Sequence, residues 1–316
     1  AMNLGATVVM VDVSDDFTIA TEQIRAAITE RTKAIIPVDV AGWPADYDGI
    51  RDVLDAPDVR AMFTPASERQ AKLGRILVLS DAAHSIGSTY HRRPNGQWAD
   101  VTVFSFHSVK NITTGEGGAV ILNLPAPFDN DAERLFLRTF SLNGQTKSAF
   151  EKNQSGGWRY DIIDQGLKAN MPDVLAAIGL SQIRKYAKEL LPDRRRKFEL
   201  YQAAFSDDSW AILPPYRDAE RESSAHLYML RIAGADEARR DAIIQHLADA
   251  GIGVNVHYIP MAMLTLFRER GYKIGDYPKT YELYANEITL PLYNVLTEAA
   301  IAEVIAGVRA AVEDTA

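Results

Sequence analysis

Short β-branched runs that stay apolar over consecutive residues, without alternating, constrain this chain more than any other feature. They are Thr7-Val8-Val9-Met10-Val11-Asp12, Ala34-Ile35-Ile36-Pro37-Val38, Ile76-Leu77-Val78-Leu79, Val101-Thr102-Val103-Phe104 and Ala119-Val120-Ile121-Leu122. A strand with one wet face alternates apolar and polar residues, whereas a strand covered on both faces does not need to. Helical spacing separates the early runs, as in Ile24, Ala27 and Ile28. The pattern predicts an α/β layered domain with a mainly parallel sheet. The runs at Val101 and Ala119 lie too close for a helical crossover, so that step is predicted to be irregular or antiparallel.

After about residue 185 the texture changes. Residues 193–205 read as a polar helix, Pro214-Pro215 as a break, 226–232 as a strand, 238–250 as an amphipathic helix and 252–257 as a strand. A last helix is predicted from Thr297 to about Val312. This is a smaller α+β domain, with Leu191-Pro192-Asp193 as the junction because proline stops one helix and aspartate caps the next. The expected domains are therefore 1–190 and 191–316, in line with ~150 residues per domain. A strand signal begins within a few residues of Ala1 with no helix ahead of it, so the chain is expected to start inside a domain.

Composition excludes several kinds of chemistry. There is no cysteine, hence no disulfide, zinc–thiolate site, iron–sulfur cluster or cysteine nucleophile. The formal charge of −8, without a basic run, lacks the footprint of a nucleic-acid binder. No apolar stretch is long enough to span a bilayer, and no signal peptide is visible. The expectation is a soluble cytoplasmic enzyme.

Two segments could carry its chemistry. The first is Ser105-Phe106-His107-Ser108-Val109-Lys110-Asn111-Ile112-Thr113-Thr114-Gly115-Glu116-Gly117-Gly118, between two core strands. Its glycines permit tight turns and close backbone approach to a ligand. A lysine between buried strands is partly desolvated, which lowers its pKa and favours amine chemistry such as a Schiff base. The alternative is a surface turn with a solvated lysine. The second segment is Ser80-Asp81-Ala82-Ala83-His84, which puts Asp81 at the carboxyl end of a strand, where α/β sheets bind ligands. That carboxylate could hold a protonated ring nitrogen. Taken alone, Asp81 reads better as the N-cap of a helix beginning at Ala82-Ala83.

Together the two segments resemble the DegT/DnrJ/EryC1/StrS aminotransferases. The likeness continues through Gly157-Trp158-Arg159-Tyr160-Asp161-Ile162, Gly166-Leu167-Lys168-Ala169-Asn170-Met171-Pro172-Asp173 and Ala176-Ala177-Ile178-Gly179-Leu180. It reaches Val256-His257-Tyr258-Ile259-Pro260 and Leu290-Pro291-Leu292-Tyr293, and so covers essentially the whole chain. The resemblance implies a pyridoxal 5'-phosphate (PLP) enzyme of the aspartate-aminotransferase fold, fold type I. It implies an amino transfer, with L-glutamate as donor, to a nucleotide-diphosphate keto-sugar, a 4-keto-6-deoxyhexose, in surface polysaccharide or glycoconjugate biosynthesis.

Carried over by residue, the resemblance makes Lys110 the lysine that bonds the cofactor and carries protons between cofactor and substrate carbons. Asp81 pairs with the pyridinium nitrogen, His84 lies beside the ring, and Ser105 binds the phosphate. Asn170 reaches that phosphate from the partner subunit of a homodimer, unless it only caps the helix after Pro172. Members also carry, upstream, a Gly-Thr/Ser phosphate turn and an aromatic residue stacked on the cofactor. The sequence contains neither, so an N-terminal part of the fold is expected to be missing. Two rivals are a dehydratase of the same family, in which histidine replaces the lysine, and a non-catalytic sensor of the same fold.

Other polar features receive plain readings. His84, His91, His107, Asp81 and Asp100 show no short metal-ligand spacing, so no metal is expected. Arg194-Arg195-Arg196-Lys197 is expected on the solvated face of a helix. Tyr281 and Tyr284 are expected to pack, and His257 either meets substrate or is structural.

Overall fold

A computed structural model of the protein describes residues 1–315. Its strands in the first part are β1 (Ala34–Ile35), β2 (Leu77–Asp81), β3 (Thr89–Tyr90), β4 (Arg93–Pro94), β5 (Val101–Ser105) and β6 (Gly118–Leu122). The second part has β7 (Ala211–Ile212), β8 (Arg221–Glu222), β9 (Tyr228–Ile232) and β10 (Glu287–Leu290).

The first sheet has the order β1-β2-β5-β6. Strands β1, β2 and β5 are parallel, and β5 pairs antiparallel with β6 from Val101↔Leu122 to Ser105↔Gly118. The short connection after Phe104 therefore takes the antiparallel course expected of it. Helices supply one layer. Ile24 from Thr21–Ala27, and Tyr47, Ile50 and Leu54 from Tyr47–Asp55, pack with Ile35, Ile76 and Val78 in one buried cluster. Tyr47, Ile50 and Leu54 fall at helical spacing on one face, and the Asp46 side chain caps the helix by accepting the Gly49 N–H. Covering on both faces holds for β2, which has no exposed residue, but Val103, Val120 and Ile121 on β5 and β6 are exposed.

A second core belongs to the later part of the chain. Phe198, Tyr201, Phe205, Tyr228, Leu230, Ile243, Ile288 and Val308 bury together around the β10-β9-β7 sheet. The helices expected there are Glu237–Asp249 and Glu298–Asp314, the latter capped by Thr297. We propose 190/191 as the domain boundary because this core draws only on residues beyond it. The helix itself does not break there. Helical structure runs from Asp173 to Phe205, with a π-turn over Tyr186–Leu190 and Pro192 in the first turn of the last segment. Proline needs no amide donor there, so it does not interrupt the chain. The hairpin β3-β4 ties the two parts together by pairing Thr89↔Glu222 and Tyr90↔Arg221.

Three further expectations change. Residues 7–12 form no strand; the segment lies against the later domain, with both Asp12 carboxylate oxygens accepting the Lys279 and Thr280 N–H groups. Residues 252–257 contribute only the bridge Asn255↔Thr289. β-Propensity makes a ladder only where a partner edge is available. The basic run is not solvated throughout, because Arg194 and Lys197 are buried. Arg194 donates to the carbonyls of Ala225, His226 and Leu292, and Lys197 pairs with Asp193 at 2.6 Å. Tyr284 packs as expected, whereas Tyr281 is exposed. No helix among the described residues is long and apolar enough to cross a membrane.

Asp100 anchors the first sheet. Its oxygens accept from both terminal nitrogens of Arg75 at 2.6 Å, from Arg51 at 2.9 Å and from the Val78 N–H at 2.8 Å. Burial alone would raise this carboxyl, but the Arg75, Val78 and Arg51 contacts outweigh it and hold it below the usual carboxylate range. The stability it contributes is therefore present above the unfolded-state pKa and lost as pH falls through the lowered folded value. Asp100→Asn leaves the buried guanidinium of Arg75 uncompensated and is expected to cost about 3–5 kcal/mol. Urea unfolding at neutral pH measures it, and a loss below about 1 kcal/mol would contradict this role.

Candidate active site

Asp81 and Ser105 are the last residues of two neighbouring parallel strands, β2 and β5, and so share one carboxyl edge. Lys110 follows on the turn beyond β5, where its N–H donates to the His107 carbonyl at 3.0 Å. The turn is folded back on itself: Phe106 donates to Gly117 O at 2.8 Å, Thr114 to Phe106 O at 2.9 Å, and Thr113 receives the Gly115 N–H at 2.8 Å. Gly117 has φ +152, and a Cβ there would lie 2.5 Å from Thr114 Oγ1 and 2.6 Å from Met171 Cε. The helix Asp173–Lys185 steadies the turn through Gln182, whose Oε1 accepts the Thr113 N–H at 2.9 Å.

Lys110 is half-buried, and Nζ makes no hydrogen bond or ion pair among the described residues. Burial pushes its pKa down from the ordinary lysine value, while the Asp81 carboxylate partly offsets this. The turn therefore leaves the amine partly desolvated. Asp81 Oδ1 accepts the Ala83 N–H at 3.1 Å, and Oδ2 has no protein partner among the described residues. Ala83 and His84 form a turn and no helix follows Asp81 directly, so Asp81 caps no helix. Ser105 Oγ accepts the His107 N–H at 3.2 Å. An unpaired amine, an open carboxylate oxygen and a hydroxyl beside a glycine turn fit a carbonyl-bearing heterocycle with a phosphate arm.

His84 is buried below this edge. Its Nδ1 accepts the Ala41 N–H at 3.2 Å, which places the ring proton on Nε2, 3.1 Å from the Tyr258 hydroxyl. Burial drives its pKa down to about 3, aided by the charges of Lys110 and His257, so it stays neutral. The ring lies 4.4 Å from that of His226, whose Nδ1 is 2.8 Å from Asn111 Oδ1. Asn111 also donates to Ser224 O at 2.9 Å, fastening the residue next to Lys110 onto the later domain.

Asp39 was not signalled by the sequence, since it sits in an apolar run without a motif. It is fully buried and accepts from Ala45 N at 2.9 Å, from the Tyr47 and Ser85 hydroxyls at 2.8 Å each, and from Asn95. Its backbone N–H donates to Asp81 O at 3.0 Å. This knot holds the 81–85 loop in place beneath the edge. Burial raises the Asp39 carboxyl despite these bonds.

Asn170 stands apart from Lys110 in sequence, exposed, and accepts from Lys168. It does not cap the following helix, whose N-cap is Pro172. The side chains weighed as metal ligands are not brought together. Asp100 is held by arginines, and His91 lies with Asp48 and Glu220, their donor atoms within 4.8 Å of one another.

Comparison with known proteins identifies the family. The sequence pattern of the DegT/DnrJ/EryC1/StrS aminotransferase family matches residues 1–309. The solved structure of a putative sugar aminotransferase, Spr1654 from Streptococcus pneumoniae, in its PMP-form, superposes with a TM-score of 0.93 at 40% identity, covering 100% of this chain and 78% of that one. Its PLP-form gives 0.92 at 38% identity, covering 100% and 77%. The spore coat polysaccharide biosynthesis protein SpsC of Bacillus subtilis is 34% identical over 321 residues, 98% of this chain and 74% of that protein. With that match and the fold type I architecture around Lys110, the chain belongs to the DegT/DnrJ/EryC1/StrS aminotransferase family.

Proposed function

We propose that the protein moves an amino group from L-glutamate to the ketone of a nucleotide-diphosphate-linked keto-sugar, a 4-keto-6-deoxyhexose, for a surface polysaccharide or glycoconjugate. It is a PLP-dependent sugar aminotransferase; the donor, the sugar and a cytoplasmic setting are our reading. The observation that carries it is the meeting of Lys110, Asp81 and Ser105 on the carboxyl edge of β2 and β5. Lysine at position 110 is also what separates this reading from the dehydratase, which has histidine there, and a sensor would have no need of all three groups.

When bound, PLP supplies an electron sink that stabilises charge left on carbon as a proton departs. The chain's own groups do the rest. Lys110 would hold the cofactor in the resting enzyme and, as a free amine, would take the proton from one carbon and return it to the other as the ammonium; burial makes the neutral amine available at lower pH than in free lysine. Asp81, whose second carboxylate oxygen has no protein partner among the described residues, would hold the cofactor's ring nitrogen protonated. Ser105 would donate to its phosphate, and His84, neutral and buried, would lie beside its ring.

The active site is shared between two subunits in this reading, with Asn170 completing the partner's phosphate site. Trp158, Ile162, Ile163, Leu167, Val174 and Ile183, all in or near this segment, are exposed, the kind of apolar surface that a second copy could cover. Lys110→Ala and Asn170→Ala homodimers are each expected to be impaired, while mixed dimers regain one intact site. Heterodimers without recovered turnover, or an active monomer, would overturn the shared site. The reaction itself is tested by incubating holoenzyme with L-glutamate and nucleotide-linked keto-sugars. The amino sugar and 2-oxoglutarate should appear in equal amounts by mass spectrometry; water loss from the sugar without amination would favour the dehydratase.

A further inference from the structure

Glu287 is a fully buried carboxyl on β10, a strand with all four residues buried, and the chemistry so far makes no use of it. One oxygen, Oε2, accepts the His257 N–H at 2.8 Å. The other, Oε1, is hydrogen-bonded to the Thr289 hydroxyl, and that hydroxyl lies 2.8 Å from His257 Nδ1. The imidazole in turn belongs to the cluster around Lys110. The Lys110 charge opposes protonation of His257, and both groups act on His84 and His226.

A hydroxyl has a single proton and can donate to only one of these two neighbours. If Glu287 is ionised, Oε1 accepts from Thr289, Thr289 Oγ1 accepts from Nδ1–H, and His257 Nε2 is a bare acceptor. If Glu287 carries a proton on Oε1, it donates to Thr289, Thr289 donates to Nδ1, and the ring proton sits on Nε2. No proton is gained or lost by the ring; its position follows that of the Glu287 proton.

We infer that Glu287 and Thr289 are positioning residues for the transamination: the Glu287 proton, read through the Thr289 hydroxyl, sets whether His257 offers the substrate a donor or an acceptor. This rests on the reading of the Lys110 edge as the site of amino transfer. The groups facing the pair are few. Arg240 acts on Glu287 from the helix Glu237–Asp249, and Tyr258 neighbours it from the chain after His257. Arg231, opposite Glu287 on β9, directs its guanidinium towards Glu282 at 3.8 Å. Burial pushes Glu287 up to about 8, against the opposing bonds from Thr289 and the His257 N–H and the Arg240 charge. Burial and Lys110 keep His257 below its ordinary value, so the neutral ring is what chooses between tautomers.

The test is nitrogen NMR of holoenzyme labelled with 15N-histidine, recorded without substrate, with the His257 signals among the six histidines assigned by their loss in His257→Gln. In the wild type the Nε2–H form should dominate at pH 6.5 and give way to Nδ1–H with a midpoint near pH 8. Glu287→Gln, whose amide can only donate to Thr289 while its oxygen receives the His257 N–H, should hold Nε2–H throughout. Thr289→Val should remove the transition and Thr289→Ser should restore it. The pH profile of kcat/KM should carry a limb near 8 in the wild type and Thr289→Ser only. A wild-type ring with no tautomer change between pH 6.5 and 9.5, or the same change in Glu287→Gln or Thr289→Val, would overturn the inference. Because the spectra need no substrate, failure of the keto-sugar reading would leave this result intact, and the reverse also holds.

Discussion

Lys110→Ala is expected to lose about 10⁴-fold or more in turnover, the upper end for removal of a positioned acid–base group. Two roles fall together, since the same amine binds the cofactor and carries the proton. The fold should survive, because Nζ has no hydrogen bond or ion pair among the described residues and its removal breaks no contact of that kind. Thermal unfolding of the variant without cofactor should therefore match that of the wild type. Borohydride reduction of wild-type holoenzyme, followed by peptide mapping, should fix the cofactor on Lys110. A label on another lysine, or a variant with substantial turnover, would refute the assignment. The direction of the Lys110 shift adds a check. Burial lowers its pKa and Asp81 opposes this, so in the cofactor-free protein Asp81→Asn should lower the pKa of the free amine further, read from the pH dependence of its chemical labelling.

What could be read from the sequence follows where local information was enough. The runs at Ile76 and Val101 became β2 and β5 because each has a partner on both sides in the first sheet. Asp81 could be found because it ends the strand that the Ile76 run begins, and Lys110 because it lies in the glycine-bounded turn after the Val101 run, next to the binding edge. Residues 7–12 have the same propensity but no ladder, since strand formation depends on a neighbour that local pattern cannot supply. Pro192 misled for a similar reason: the residue marks a helix start, but the helix before it simply continues through a π-turn. Arg194 looked like a surface charge until three carbonyls from distant segments closed around it. Asp39, Glu287 and the His84–His226 contact lay beyond sequence reading because their partners are far along the chain. Asp39 and Asn95 are separated by 56 residues, and Asn111 and His226 by 115.

Asp81→Asn is expected to remove most activity while leaving the strand in place. The pairing of β2 is a matter of backbone bonds, and the Ala83 N–H accepted by Asp81 Oδ1 can be accepted equally by an asparagine Oδ1. What asparagine cannot supply is negative charge at the second oxygen, the one with no protein partner among the described residues. Losing one charge-assisted hydrogen bond costs about 1.5–3 kcal/mol, roughly 10- to 150-fold in rate. The weaker electron sink of an unprotonated ring adds to that, so the total should exceed the bond alone. Asp81→Glu separates charge from placement. It keeps the carboxylate but moves it by one methylene, and should recover part of the loss. If Asp81 served only the 81–83 turn, Asp81→Asn would turn over at a near-normal rate and Asp81→Glu would be the worse variant. That order of activities would exclude a ring-nitrogen partner at the end of β2.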